Sequence, residues 1–133
     1  MKKKIIYIVS SVFALVVLIF AFLILQNGLL SKSDGTVEIS LINDKKEIVD
    51  SKEIDFKNGD SLVSILEKNF DTFDFSDGYV KAIGTLEEYY TDDGMFYISI
   101  LVNNEYSDTG ISLIELEDGM EISFVMEEYK WAK

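Results

Sequence analysis

The sequence predicts an α+β domain carried behind an N-terminal transmembrane helix, and three features of its patterning lead there. An uncharged apolar run opens the chain, two-residue alternation recurs in short segments after it, and one later stretch has helical spacing. Met1-Lys2-Lys3-Lys4 precedes the apolar run, which extends from Ile5 to Leu25 and is interrupted only by Tyr7, Ser10 and Ser11. At a rise of about 1.5 Å per residue this run makes a helix roughly 30 Å long, the thickness of a bilayer's hydrocarbon core. Lysines before the run and none close behind it place the N-terminus inside and everything after Gln26 outside, by the positive-inside rule. The expected organisation is a cytoplasmic N-terminus at 1–4, an anchor over 5–26, a tether over 27–35, a domain over 36–128 and a tail over 129–133. Secretion after cleavage of a signal peptide is the alternative. Such a peptide has an apolar region of about 7–15 residues, and no small-x-small cleavage site stands near Gln26–Ser31.

Composition narrows the function classes. The outer domain holds all 24 acidic residues and nine of the twelve lysines, which leaves it at a formal charge of −15. That charge repels nucleic acid phosphates and anionic lipid surfaces, so no nucleic acid partner is expected and the anchor alone holds the domain at the membrane. The chain has no Cys, His or Arg. Zinc sites of the usual His/Cys kind, histidine acid–base chemistry, Ser-His-Asp triads and bidentate arginine clamps are therefore outside its means. No catalytic residue, no metal and no catalytic cofactor are expected; the chain is read as something other than an enzyme.

The elements of the outer domain follow in order. Thr36 to Ile42 alternates apolar and polar residues, the mark of a half-buried strand, and Asn43 to Glu47 is a polar turn. Ile48 to Phe56 alternates again, with Val49 out of phase, and pairs with the first run as a hairpin. Asp60 or Ser61 can cap a helix by accepting a first-turn N–H, and Leu62, Val63, Ile65, Leu66 and Phe70 then form one apolar face. Asn69 is the expected stop. Asp71 to Gly78 reads as a loop or irregular extended piece, and Tyr79 to Gly84 as a short strand. Glu87 to Tyr90 leads into a turn at Thr91–Gly94, and Met95 to Val102 is apolar enough to be the central, most buried strand. Asn103–Glu105 turns the chain, Ile111 to Leu116 is a short extended segment, and Asp118-Gly119 leads to a last strand over Met120–Met126. Glu127 to Lys133 is a charged tail. A hairpin, one helix and three to four further strands suggest a sheet covered on one face by the helix, for which a β-grasp is the natural candidate.

Several of these turns resemble a known family in order and spacing. Gly59-Asp60-Ser61-Leu62 resembles the glycine–aspartate helix entry of the transcobalamin-like C-terminal domain family, the bacterial domain of unknown function numbered 4430. Gly78-Tyr79-Val80-Lys81-Ala82-Ile83 resembles its G-aromatic-V strand, and Phe96 to Asn104 its aromatic strand and Asn turn. Gly110-Ile111 and Leu116 to Phe124, containing Asp118-Gly119, resemble its closing segment. The resemblance covers about residues 36 to 127. It implies a β-grasp-like fold related to the small domain that closes over cobalamin in vitamin B12 carriers, placed outside the cell. The chain departs from the family where Phe96-Tyr97 stand for a Trp and where Asn104 stands for a Gly.

The candidate site residues are Tyr79, Tyr89, Tyr90, Phe96 and Tyr97, with Asn103 and Asn104. Flat rings with hydroxyl tips suit a large planar ligand with amide edges, as a corrinoid would be, and the two amides can bond such a ligand. The same residues also suit structural duty, with Phe96 in the core, the tyrosines half-buried on the sheet and the Asn pair as a hairpin turn. Asp71, Asp74 and Asp77 lack the alternate spacing and downstream Glu of a calcium loop. Two functions are carried forward. One is a membrane-anchored extracellular module for a small ligand, with a corrinoid as ligand and not as cofactor. The other is a structural or protein-interaction domain of the cell envelope.

Overall fold

The structure, a computed structural model, describes residues 11–19 and 29–131. Residues 11–19 are helical (α1). The remainder of the expected 5–26 anchor lies outside the described residues, and among the described residues no helix is long and apolar enough to cross a membrane.

The alternation in the first two runs becomes a hairpin of β1 (Gly35–Ile42) and β2 (Ile48–Phe56), paired from Gly35–Phe56 to Ile42–Ile48. At its turn the Asn43 Oδ1 accepts from the backbone N–H of Lys45 and Glu47, at 3.0 and 2.9 Å. The chain then enters α2 (Leu62–Asn69), where Ser61 and Ser64 cap each other reciprocally, each side-chain oxygen accepting the other's N–H at 3.1 Å. That exchange satisfies first-turn donors which the helix itself leaves unpaired. The three strands β3 (Phe73–Ser76), β4 (Tyr79–Ile83) and β5 (Leu86–Glu87) form a small antiparallel sheet. The main sheet is completed by β6 (Tyr89–Thr91), β7 (Gly94–Val102), β8 (Glu105–Tyr106) and β9 (Met120–Lys130).

Strand order in the main sheet is β2-β1-β9-β7-β6, with β8 also on β7. The first and last strands lie parallel at its middle, while every other pairing is antiparallel. Register aligns Val37, Ile39 and Leu41 with Met120, Ile122 and Phe124, so one face of the sheet becomes continuous hydrocarbon. Leu62, Val63, Ile65 and Leu66 of α2 join the same core. Each such side chain contributes about 1.5–3 kcal/mol relative to remaining in water. At the closing turn, Asp118 Oδ1 accepts from the Thr36 N–H at 3.0 Å, and the Gly119 N–H donates to the Thr36 carbonyl at 2.8 Å.

Four expectations are corrected. The most buried strand is β9, between β1 and β7, and not the apolar Met95–Val102 run. That run packs one face on the core and turns Tyr97 and Ser99 to the other, where hydroxyls find a carboxylate. Among the described residues seven strands follow α2 where three to four were expected: the loop or irregular extended piece over Asp71–Gly78 contains β3, held by pairing with β4 across a bulge at Asp74–Phe75, and β5, β6 and β8 are only two or three residues long. The extended segment expected over Ile111–Leu116 begins as a 3₁₀ turn at Ile111–Leu113. The last strand does not stop at Met126 but runs to Lys130, because Gly94 to Tyr97 supply partners for Glu127 to Lys130.

Candidate functional site

β7 is the strand on which the site is built. Its even-numbered side chains, Phe96, Ile98, Ile100 and Val102, belong to or pack against the core. Its odd positions, Tyr97 and Ser99, share the open face with Val125 and Glu127 of β9 by register. Beyond the edge of β7 away from β9 opens a cleft of about 370 Å³. Its walls are Tyr97 to Ile100, the β3–β4 turn at Asp77 to Val80, and the segment Tyr106 to Gly110.

Two glycines set the far wall. Gly78 takes φ +83° beside Asp77 at φ 54°, the left-handed pair that a two-residue hairpin requires. A Cβ on Gly110 would lie 2.9 Å from the Gly78 Cα, so bare backbones touch there, and the Ile111 N–H donates to the Gly78 carbonyl at 3.1 Å. Ile111 is fully buried and pins this contact to the core. Asp77, Tyr79, Tyr106, Asp108 and Thr109 are exposed around the mouth, whereas Ile98 and Val80 are buried beneath it.

Beside the cleft, Glu127 gathers three hydroxyl donors. Ser99 Oγ donates to Oε2 at 2.7 Å, Tyr97 Oη to Oε2 at 3.3 Å, and Tyr106 Oη to Oε1. Partial burial raises the Glu127 pKa, but the bonds from Tyr106, Ser99 and Tyr97 and the nearby charge of Lys46 outweigh it and hold the carboxyl below its ordinary value. The same bond to Glu127 pushes the Tyr106 hydroxyl up, reinforced by the carboxylate charge. This carboxylate fixes the rims of two tyrosines that line the cleft.

The expected site residues divide. Tyr79 and Tyr97 meet at the cleft. Phe96 packs on the core side and stacks on Tyr89, with ring centroids 4.6 Å apart, and burial with the charges of Asp44 and Glu128 pushes the Tyr89 hydroxyl up. Tyr90, opposite Met95, is exposed near the chain end of β9 and does not line the cleft. Asn103 and Asn104, at φ 50° and 67°, form the two-residue turn between β7 and β8. Asn103 is committed to that turn: its N–H donates to the Glu121 carbonyl at 2.7 Å, and its Oδ1 accepts the Glu121 N–H at 3.0 Å. Sequence reasoning missed Tyr106, Ser99 and Glu127. Periodicity carried no signal for Glu127, because the apolar phase of β9 ends at Met126 and the next in-phase position is Glu128. Among the described residues, no group of three or more His, Cys, Asp or Glu side chains is arranged to hold a metal ion.

Residues 59–128, more than half of the chain, match the family model described as a domain of unknown function, DUF4430. The chain belongs to this family. The stretch matching DUF4430 contains α2, the cleft and Glu127, while β1 and β2 lie before it and complete the sheet through β9. Among solved structures, the fold is similar to that of a protein from Ruminococcus gnavus ATCC 29149 whose description proposes that it binds metal. The likeness has a TM-score of 0.54 at 16% identity and covers 71% of this chain and 98% of that one. Among curated proteins there is no match.

Proposed function

We propose that this DUF4430 chain is a membrane-anchored module that presents a small-ligand site outside the cell. The observation that carries the reading is the cleft beside β7, where Tyr79, Tyr97 and Tyr106 surround hydroxyls of Ser99, Ser107 and Thr109. Its volume of about 370 Å³ falls in the lower part of the roughly 300–1,000 Å³ range of ligand sites. Anchorage is supported by the uncharged run from Ile5 to Leu25 and by residues 11–19, helical with Val12, Phe13 and Leu15 to Ile19 exposed. The parallel pairing of first and last strands, with a helix between a hairpin and the later strands, supports the β-grasp-like reading.

A corrinoid remains the ligand that the transcobalamin-like resemblance suggests, and one amide-bearing edge of it would enter the cleft between the tyrosine rings. The site is read as non-catalytic: the chain has no His, Cys or Arg, Glu127 beside the cleft is held as an acceptor by three hydroxyls, and Asp77 and Asp108 at the mouth are exposed. One observation favours the alternative of an envelope-protein docking domain. On the open face of the main sheet, Glu53, Glu38 and Glu121 stand side by side, a surface suited to a basic partner.

Full-length protein in detergent micelles, melted with and without cyanocobalamin and a panel of small polar ligands, tests the reading. A ligand of the native state raises the melting temperature, and Tyr97→Ala should abolish the rise. No rise with any ligand, together with co-purification of one basic envelope protein, would transfer the function to the acidic face.

A further inference from the structure

The floor of the cleft is an interrupted strand edge. Pairing of β6 with β7 ends at Phe96, and pairing of β8 with β7 begins at Leu101. Among the described residues no strand pairs with Tyr97 to Ile100 on the side away from β9. Two hydrogen bonds of neighbouring residues fix which backbone groups point that way. The Ser107 N–H donates to the Ile100 carbonyl at 2.9 Å, so Ile100 directs its carbonyl away from β9. The Asn103 N–H donates to Glu121 of β9 at 2.7 Å, so odd positions direct theirs toward β9. By strand alternation Ile98 directs both its N–H and its carbonyl into the cleft. Yet Ile98 is only 8% exposed. A backbone donor and acceptor on so buried a residue are satisfied by water or by another chain, and a bare strand edge is a template for the latter.

The gap has a length and a charge. With the Ile100 carbonyl taken by Ser107, the three residues Tyr97 to Ser99 at about 3.3 Å each leave roughly 10 Å of open edge, which admits one extended segment of about three residues. The glycine-set turn opposite keeps the far wall free of side chains at Gly78. Asp77 and Asp108 stand exposed at the mouth, in a chain of formal net charge −12.

We propose that the ligand class of this cleft is an extended cationic peptide segment, which adds to β7 as a three-residue strand through Ile98. The proposal rests on the small-ligand reading of the same cleft and names the chemistry of its occupant. Main-chain bonds to Ile98 supply sequence-independent attachment, as in strand addition generally. The ring faces of Tyr79 and Tyr97 flank the segment, and Asp77 and Asp108 select Lys or Arg in it.

The test uses the full chain in micelles, amide-labelled for NMR, titrated with the capped tripeptide Ac-Lys-Ala-Lys-NH₂. The Ile98 and Ser99 amides should shift most. An analogue N-methylated at the central alanine should bind at least tenfold more weakly, and so should Ac-Glu-Ala-Glu-NH₂. The double variant Asp77→Asn, Asp108→Asn keeps the left-handed backbone at position 77, since Asn tolerates positive φ. It should bring the Lys and Glu peptides within about twofold of each other while preserving the Ile98 shift. Equal binding of the N-methyl analogue, or shifts that avoid Ile98, would overturn strand addition. If the tripeptide shifts nothing but cyanocobalamin or another small ligand still shifts cleft amides, the peptide inference falls and the small-ligand reading stands. If neither perturbs the cleft, both fall.

Discussion

On β1, Val37, Ile39 and Leu41 are sealed from solvent, while Glu38 and Ser40, one residue away, look outward. β9 repeats the division, with Ile122 and Phe124 at no exposure and Glu121, Ser123 and Glu127 on the other side. The covered face fixes register, because a slip of one residue would turn its whole apolar set to water. The open face is released from that duty. It carries Val125 as a buried apolar centre, a row of carboxylates at one end and the Glu127 hydroxyl cluster at the other. Shape is therefore specified on one side of the sheet, and recognition chemistry is collected on the other side and at the β7 edge.

The strongest way to break this comparison is to truncate one residue on each face. Phe124→Ala removes a side chain with no exposure, and should cost about 3–5 kcal/mol through lost burial and the cavity left behind. Its neighbour Ser123→Ala, on the half-exposed side, should stay within about 0.5 kcal/mol. Urea unfolding of the two variants measures both; similar losses would mean that the open face also specifies the fold.

A smaller effect separates the two ends of the open face. Glu127 has a folded-state pKa below its ordinary 4.5, so it contributes stability that is present above that value. The contribution is lost as pH falls through the lowered folded value. Glu127→Gln should accordingly be less stable than wild type at neutral pH, and the gap should close on acidification. A gap that widened in acid would show that the hydroxyl cluster favours the protonated carboxyl.

The covered face was largely legible in the sequence, and the open face was not. Val37, Ile39 and Leu41 announce their strand by local alternation, and Ser61 its helix by capping chemistry, because both signals sit within a few residues. The strands β5, β6 and β8 are two or three residues long and exist through pairing, so no periodicity could reveal them. Glu127 looked like part of a solvated tail since its donors lie 21 to 30 positions away along the chain. The cleft depends on where β6 stops and β8 begins on their common partner, a tertiary property with no local signature. Tyr79 and Tyr97 line the cleft and belong to the dense aromatic set visible in the sequence, since ring chemistry is a local feature and strand pairing is not.

The smallest effect sharpens the comparison most. Register sets Glu53 opposite Glu38 and Glu38 opposite Glu121, three carboxylates across three adjacent strands. Like charges directly opposite on one face destabilise a sheet by roughly 0.2–1 kcal/mol per pair. A partial offset is the Ser51 hydroxyl, which donates to Glu38 Oε1 at 3.4 Å, a bond that a Gln oxygen can keep. Glu38→Gln should therefore raise stability by a few tenths of a kcal/mol at low salt. The gain should shrink at high salt, where exposed charges are screened within about 3 Å at 1 M. A salt-independent gain would trace the effect to strand propensity instead of repulsion. A loss at low salt would mean that a cation already bridges the row, and the open face would then be a binding surface at both of its ends.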